Sequence, residues 1–108
     1  MGFAVKANYK LSQEAEADLA RIYRRGFEEF GEKRADQYFR DFFERFELLA
    51  EQPKMYPSAD DVAIGLRKSV CGRDTIYYEV TETEIVIQFI LGRQDLRRRV
   101  KQRFQREN

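Results

Sequence analysis

Three short runs rich in β-branched and aromatic residues lie close together in the second half of the sequence, between Gly65 and Asp95. The connections between them are only three residues long, at positions 72–74 and 81–83. Connections of this length join neighbouring antiparallel strands as hairpins. The sequence therefore predicts an antiparallel meander, which the rest of the chain has to cover. The three predicted strands span residues 66–71, 75–80 and 84–91.

The last of these runs is almost entirely apolar. Strict alternation would place Ile85, Ile87, Phe89 and Leu91 on one face of the strand, and Val86, Gln88 and Ile90 on the other. One face is then fully apolar and the other nearly so, which is typical of a central strand covered on at least one side. We therefore expect residues 84–91 to lie inside the sheet.

Two helical patterns precede the meander. Ser12 is a natural N-cap, and acidic residues follow it at the start of the first helix, where negative charge is favourable. Apolar side chains recur at helical spacing up to Gly31 and again from Glu32 to Glu51, before Pro53 ends the pattern. Because the linker between the helices is nearly absent, they should form an antiparallel hairpin. The phenylalanine stripe of the second helix is expected to cover the sheet.

The two ends of the chain complete the predicted order. Weak alternation over residues 3–10 indicates a first strand beside the meander, and residues 54–64 are interpreted as an irregular connection. The C-terminal pattern is compatible with a short helix over residues 97–105. The prediction is a single α+β domain over residues 1–108 of order β-α-α-β-β-β. In it a helical hairpin packs on an antiparallel sheet.

Composition limits the classes of protein that this chain can belong to. The formal net charge is only +1 although 36% of the residues are charged, so the chain does not bind polyanions through bulk charge. The single cysteine, Cys71, cannot form an internal disulfide, and no run approaches about 18 apolar residues. We therefore expect a cytoplasmic protein that makes no use of a membrane.

The order of these elements, together with short words at particular places, resembles the ParE branch of the ParE/RelE toxin superfamily of bacterial type II toxin–antitoxin modules. The words are YKLS at 9–12, EAEADL at 14–19, FELLAEQP at 46–53, GLRK at 65–68, YYEV at 77–80 and ILGRQD at 90–95. They cover nearly the whole chain in the order of the family. Three features depart from it. Leu91 stands where ParE-like chains commonly have His, Gly-Arg-Asp at 72–74 replaces Gly-Ser-His, and the tail at 97–108 is longer and more basic than expected for the family.

The resemblance implies a toxin that poisons DNA gyrase by binding, so that cleaved DNA is not resealed, with contact residues but no catalytic set. It also implies a cognate ParD-like antitoxin, a toxin–antitoxin hetero-oligomer, and growth arrest that stabilises a plasmid or genome. The RelE branch implies an alternative, a ribosome-dependent mRNA interferase whose Arg and Lys side chains stabilise charge at the cleaved phosphate. A third alternative is a toxin-like scaffold that has lost its activity.

The residues themselves favour binding over catalysis. The sequence has no histidine, which removes imidazole acid/base chemistry, the histidine-containing triads and histidine metal sites. Cys71 is expected to be a buried structural thiol, and the glycines are isolated, so we predict no cofactor and no metal. Tyr77 and Tyr78 lie in mid-strand, and no Tyr or His follows them. We therefore predict no catalytic residues and place gyrase poisoning ahead of RNA cleavage.

Charge is unevenly distributed along the chain. Residues 12–51 carry eleven acidic and seven basic side chains, whereas from position 93 onward seven basic side chains stand against two acidic ones. The basic C-terminal tail, residues 93–108, is therefore either a solvated tail that aids solubility or a contact surface for the target. The candidate target-contact residues are Arg67, Lys68, Arg73, Arg93, Arg97 and Arg98.

An antitoxin would bind apolar surface that the core leaves over. The second face of the meander has no evident cover other than the tail, so an antitoxin segment could fold across it or along the helical hairpin. The candidate antitoxin-contact residues are Val70, Tyr77, Val86 and Ile90. Alternatively, Leu96, Val100 and Phe104, spaced four apart, dock the tail on the same face. The sequence leaves both arrangements open.

Overall fold

The computed structural model describes residues 8–92, 95–99 and 101 of the chain. Within them the order of elements is β-α-α-β-β-β, so the predicted α+β fold, with helices packed on a sheet, is confirmed. Residues 3–7, where the predicted first strand begins, lie outside the described part. The elements are β1 (Tyr9–Leu11), α1 (Gln13–Phe30), α2 (Glu32–Glu51), β2 (Leu66–Cys71), β3 (Asp74–Val80) and β4 (Ile85–Leu91).

The helical hairpin begins and turns where the sequence predicts. Ser12 caps α1, because its Oγ atom accepts a hydrogen bond from the backbone N–H of Ala15 at 3.0 Å. Gly31, at a φ of 91°, ends α1 and leads directly into α2. Phe42 and Phe46 are fully buried against the sheet, which confirms the predicted role of the phenylalanine stripe. Within the described residues, neither helix has the length of apolar sequence that crossing a membrane requires.

Among the described residues, four strands form one sheet in the order β1-β4-β3-β2. Strands β2, β3 and β4 form the predicted antiparallel meander, whereas β1 pairs with β4 in parallel. β4 therefore lies between β1 and β3, which confirms its prediction as a central strand. Within the described residues β1 has three residues, and they pair with β4 from Ile85 to Ile87.

Side chains from α1 and its cap bind the edge of β4 that β1 does not reach. Ser12 Oγ donates to the carbonyl of Gln88 at 2.6 Å. Asp18 Oδ2 accepts from the backbone N–H of Ile90 at 3.0 Å, and Arg21 Nη2 donates to the carbonyl of Ile90 at 3.2 Å. Backbone groups inside a protein need such partners. The first helix thus completes the edge that the short first strand leaves open.

A β-bulge in β4 changes which side chains face the helices. Tyr77 pairs with Phe89 and Tyr78 pairs with Ile87, so Gln88 is an extra residue between two paired positions. An extra residue reverses the alternation of side chains beyond it. The predicted common face for all four odd-numbered residues of β4 is therefore wrong beyond Gln88. The helix-side core holds Ile85, Ile87 and Ile90, and the opposite face holds Phe89 and Leu91.

The second face of the sheet is covered as well. Ala59 and Val62, from the connection between α2 and β2, pack there with Tyr77, and Leu96 of the C-terminal segment joins the same cluster. The connection is held against β2 by a hydrogen bond from the Ala59 N–H to the Leu66 carbonyl at 2.7 Å. The prediction that only the tail could cover this face is therefore wrong, because the irregular connection folds over it.

Candidate functional site

One end of the sheet brings together the β2–β3 turn, the end of β4 and the C-terminal segment, residues 95–99 and 101, and we call this region the sheet end. β3 starts beside the end of β4 because the two strands are antiparallel neighbours. Gly92 lies close to the turn, since a Cβ built on it would be 3.8 Å from the carbonyl oxygen of Arg73. The C-terminal segment follows at once, with the Leu96 N–H donating to the Gly92 carbonyl at 3.0 Å.

A buried carboxylate, Asp74, anchors the β2–β3 turn to both helices. Its side chain is 1% exposed, and its Oδ2 atom accepts hydrogen bonds from Arg25 Nη2 at 2.8 Å and from the Tyr38 hydroxyl at 3.0 Å. A buried charge is expensive unless it is paired, so the position of Asp74 depends on these partners. Its other oxygen, Oδ1, is buried and has no hydrogen-bond partner within the described residues.

Tyr38 of α2 holds the backbone of the same turn. Its hydroxyl accepts from the Arg73 N–H at 3.0 Å, and it can donate its single proton to the carbonyl of Cys71 at 2.7 Å or to Asp74. Burial and the negative charge of Asp74 raise the pKa of Tyr38 above its ordinary value, so the hydroxyl stays protonated. Gly72 has a φ of 62°, and a Cβ on it would lie 2.5 Å from the Tyr38 ring. The ring and the turn are therefore in direct contact.

A second buried carboxylate, Asp18 of α1, ties the C-terminal segment to the helical hairpin. Its Oδ1 atom accepts from Arg99 Nη2 at 2.9 Å, while its other oxygen holds β4 as described above. Arg99 also donates to Glu14, about one helical turn earlier on α1. Arg21 lies 3.8 Å from Asp95 in a weaker contact between the same two elements. Burial alone would lower the pKa of Arg99, but its bonds to Asp18 and Glu14 raise it, and the guanidinium stays charged.

The target-contact candidates fall into two groups, of which the first lies at the sheet end. Arg97 and Arg98 are exposed and form no ion pair with a described residue. Arg73 is also exposed, and its Nη1 atom donates to Glu29 Oε2 at 3.1 Å. Arg93 lies outside the described residues. The segment is already helical at residue 95, two residues before the predicted start.

The second group, Arg67 and Lys68, lies near the other end of β2. Arg67 is bound into the structure, because its Nη1 atom donates to the carbonyl of Tyr56 at 2.7 Å and to that of Lys54 at 3.4 Å. Lys68 is half-buried on the next position of the strand. The structure therefore does not bring these two cations to the sheet end, and their contact with a target stays a prediction.

The antitoxin-contact candidates differ strongly in exposure. Val70, on the edge strand β2, is 64% exposed, and Val86 is half-buried. Tyr77 and Ile90 are buried, so the prediction that they offer uncovered apolar surface is wrong. The bulge turns Ile90 towards the helices, and the connection before β2 covers Tyr77. Leu96 docks on the second face, as the tail-docking alternative predicts, whereas Val100 and Phe104 lie outside the described residues.

Potentially reactive side chains of the meander are engaged in the fold. Cys71 is a buried free cysteine, as predicted, and burial raises the pKa of its thiol. The hydroxyl of Tyr78 donates to the carbonyl of Pro53 at 2.7 Å, and burial raises the pKa values of Tyr77 and Tyr78. Among the described residues, no group of three or more His, Cys, Asp or Glu side chains is arranged to hold a metal ion.

Sequence reasoning missed an open groove on the helical hairpin. A cavity of about 360 Å³ lies between α1, α2 and the β2–β3 turn, lined by apolar atoms of Ile22, Gly26 and Phe30 and bordered by Arg25, Arg34 and Arg73. A second cavity of about 400 Å³ lies on the other side of Tyr38, next to Arg45 and Leu48. Phe30 is 51% exposed, and Phe27 and Phe39 are exposed on the same hairpin. The sequence did contain a signal for this groove. The two helices carry more phenylalanines than a single buried face can hold.

Comparison with known proteins identifies relatives over most of the chain. A family model described as "ParE toxin of type II toxin-antitoxin system, parDE" matches residues 9–97. Toxin ParE1 of Mycobacterium tuberculosis is 30% identical over 77 residues, which is 71% of this chain and 79% of that protein. Toxin ParE1 of Caulobacter vibrioides is 31% identical over 72 residues, which is 67% of this chain and 75% of that protein.

A solved structure shares the fold. The chain resembles a structure described as "Chromosomal ParDE TA system from P. aeruginosa" with a TM-score of 0.70. The match covers 81% of this chain and 96% of that chain, at 21% sequence identity. Identity at this level is evidence for the fold alone.

Proposed function

This chain belongs to the ParE toxin family of type II toxin–antitoxin systems, and from that membership we propose that it poisons DNA gyrase in the cytoplasm. The proposed action is binding: the toxin holds the topoisomerase in a state in which cleaved DNA is not resealed. No bond of the substrate has to be broken by a side chain of the toxin. A cognate ParD-like antitoxin neutralises it in a hetero-oligomer.

The observation that carries this proposal is the pair of exposed cations at the sheet end. Arg97 and Arg98 project from a short segment that is itself fastened to α1 through Arg99 and to the sheet through Leu96. Exposed cations on a fixed support create a local positive potential, which speeds encounter with DNA-laden or acidic surfaces. Exposed ion pairs contribute only about 0–1 kcal/mol to stability, so these two residues are better explained by contact than by folding.

Engagement of the meander side chains supports binding over RNA cleavage. An acid or base must reach the reacting group, and its pKa should lie near the working pH. Tyr78 instead bonds to the Pro53 carbonyl, and burial moves the pKa values of Tyr77 and Tyr78 away from neutrality. The guanidinium of Arg67 is likewise bound to backbone carbonyls. Tyr78 and Arg67, two of the side chains that a RelE-like mechanism would use, are thus engaged in the fold.

We further propose that the antitoxin binds the groove of the helical hairpin. Its lining includes exposed aromatic surface at Phe30 and the cation Arg34. Arg25 and Arg73 also border it but are already paired with Asp74 and Glu29. An acidic antitoxin segment with apolar anchors matches that combination of aromatic surface and positive charge. Such a segment can fold as it binds, and the groove offers it preformed apolar contacts.

A supercoiling assay with purified gyrase tests the proposed target. The wild-type toxin should stop supercoiling and cause linear, cleaved DNA to accumulate, and the Arg97→Gln/Arg98→Gln variant should do so only at higher concentration. Arg24→Gln/Lys33→Gln, which removes two exposed cations from the helical hairpin, is the matched control and should behave as the wild type. If gyrase continued to supercoil while ribosome-bound mRNA was cut, the mRNA interferase function would replace this proposal.

A further inference from the structure

The basic run at 97–99 is uniform in sequence, but the structure divides it. Arg97 and Arg98 are exposed, whereas Arg99 turns back to α1 and keeps only 24% of its side chain exposed. Residues three apart on a helix share a face. Leu96 and Arg99 therefore form the docked face of the C-terminal segment, with Leu96 on the second-face cluster of the sheet. The face that carries Arg97 and Arg98 is directed away from the protein.

The partners of Arg99 are suited to fixing an orientation. The Asp18 side chain is only 4% exposed and already holds the backbone of Ile90, so it is a rigid acceptor. Glu14 binds the same guanidinium from the preceding turn of α1. The planar fork of an arginine can serve two carboxylates at once, whereas a lysine is a single point of charge. Two bonds from one rigid group determine direction as well as distance.

We propose that Arg99 is a positioning residue of the toxin. Bound to Asp18 and Glu14, it orients the C-terminal segment so that Arg97 and Arg98 meet the target, and it does not contact the target itself. This inference rests on the proposed function, in which Arg97 and Arg98 contact gyrase. It separates three neighbouring arginines into two that touch the partner and one that acts through them.

Hydrogen exchange on the isolated toxin tests the positioning contact without any partner. Arg99→Gln removes the guanidinium that bonds to both Asp18 and Glu14. It should speed exchange of the amides at 95–99 by at least about tenfold, the ratio that corresponds to losing even one charge-assisted hydrogen bond. Arg97→Gln removes the same charge from an exposed position and should leave these amides unchanged. Arg99→Lys keeps the charge and should give an intermediate rate. Exchange in Arg99→Gln at the wild-type rate would overturn the proposal.

Gyrase inhibition in a double-mutant cycle tests whether Arg99 acts through its neighbours. Arg99→Gln should weaken inhibition about tenfold in the wild-type chain but less than about twofold in the Arg97→Gln/Arg98→Gln chain, because nothing is left there to position. Equal losses in both chains would mean that Arg99 touches the target, and the proposal would be wrong. If Arg99→Gln does not fold by circular dichroism, Arg99→Lys takes its place in the cycle.

The same cycle distinguishes failure of the inference from failure of the proposed function. If the wild-type toxin leaves gyrase untouched, the proposed function is wrong, and the cycle is scored by growth arrest in cells instead. Non-additive loss of growth arrest, with faster exchange at 95–99, would still support positioning by Arg99 towards another target. Additive loss would reject it for any target.

Discussion

Replacement of Gly72 by alanine tests how tightly the β2–β3 turn is fixed to the helical hairpin. The backbone at Gly72 has a φ of 62°, in the left-handed region. A Cβ at this position would lie 2.5 Å from Cε1 and 2.7 Å from the hydroxyl oxygen of Tyr38, closer than such atoms approach each other. Tyr38 cannot move away freely, because its hydroxyl bonds to the Arg73 N–H and to the Cys71 carbonyl or Asp74. Gly72→Ala therefore has two energetic costs, one from the left-handed backbone and one from the clash with Tyr38.

The magnitudes can be separated with a second glycine. Left-handed backbone costs an alanine about 1–2 kcal/mol. Displacing the Tyr38 hydroxyl from its buried partners adds about 1–3 kcal/mol, so Gly72→Ala should lose about 2–5 kcal/mol in all. Gly65 also has a positive φ, of 91°, but a Cβ there would meet nothing within 4 Å. Gly65→Ala is therefore the matched control and should lose only the backbone part, about 1–2 kcal/mol.

Urea unfolding followed by circular dichroism measures both losses. The free energy of unfolding of such a domain is about 5–15 kcal/mol, so a loss of about 2–5 kcal/mol is a large share of the total. Gly72→Ala in a Tyr38→Ala background should lose no more than Gly65→Ala, because the clash has been removed. Equal losses for Gly72→Ala and Gly65→Ala in the wild-type chain would refute the reasoning, since they would show that Tyr38 yields without cost.

Four further predictions concern the core, the groove, the behaviour at high pH and the buried thiol. Phe46→Ala should lose about 3–5 kcal/mol in urea unfolding because a fully buried ring leaves a cavity, whereas Phe30→Ala, at an exposed ring, should lose far less. Phe30→Ala should instead weaken antitoxin binding, measured by calorimetry. Unchanged binding would show that the antitoxin does not bind at the groove. The raised pKa values of Tyr38 and Tyr78 mean that the folded state holds these protons more tightly, so the melting temperature should fall as the pH rises above about 10. The buried Cys71 thiol should resist alkylation until urea unfolds the chain; rapid labelling of the native protein would contradict its burial.

Local signals account for the features that the sequence predicted correctly. The ends of the two helices are set by local residues: Ser12 caps α1, Gly31 separates α1 from α2, and Pro53 follows α2. These effects depend on neighbours within one helical turn. The meander follows in the same way from its short connections, which the sequence places at 72–74 and 81–83. The bulge at Gln88 could not be predicted like this. Phe89, Ile90 and Leu91 are all apolar, so the sequence carries no mark of the point at which the alternation reverses.

Parts of the candidate site depended on distant partners and were missed for that reason. Arg99 looks like its neighbours until Asp18, 81 positions earlier, is placed beside it. Tyr77 is buried by the connection between α2 and β2, which packs on this face through Ala59 and Val62. Neither the contact of Arg99 nor the position of the connection is marked by a periodic pattern in the sequence. The exposure of residues in a basic run or in a loop therefore cannot be predicted while the pairing of strands from opposite ends of the chain is unknown.

The parallel pairing of β1 with β4 has a consequence for the gene that encodes the chain. β1 is synthesised long before its partner β4, so the two cannot pair until β4 has been made. At a synthesis rate of about 5–20 residues per second, this delay is on the order of ten seconds. A nonsense mutation anywhere before codon 85 thus deprives Tyr9–Leu11 of its partner and leaves α1 with no β4 edge to bind. Under the proposed function, cells that escape growth arrest should therefore carry stop codons throughout the part of the reading frame before codon 85, and missense changes concentrated at buried positions and at the sheet end.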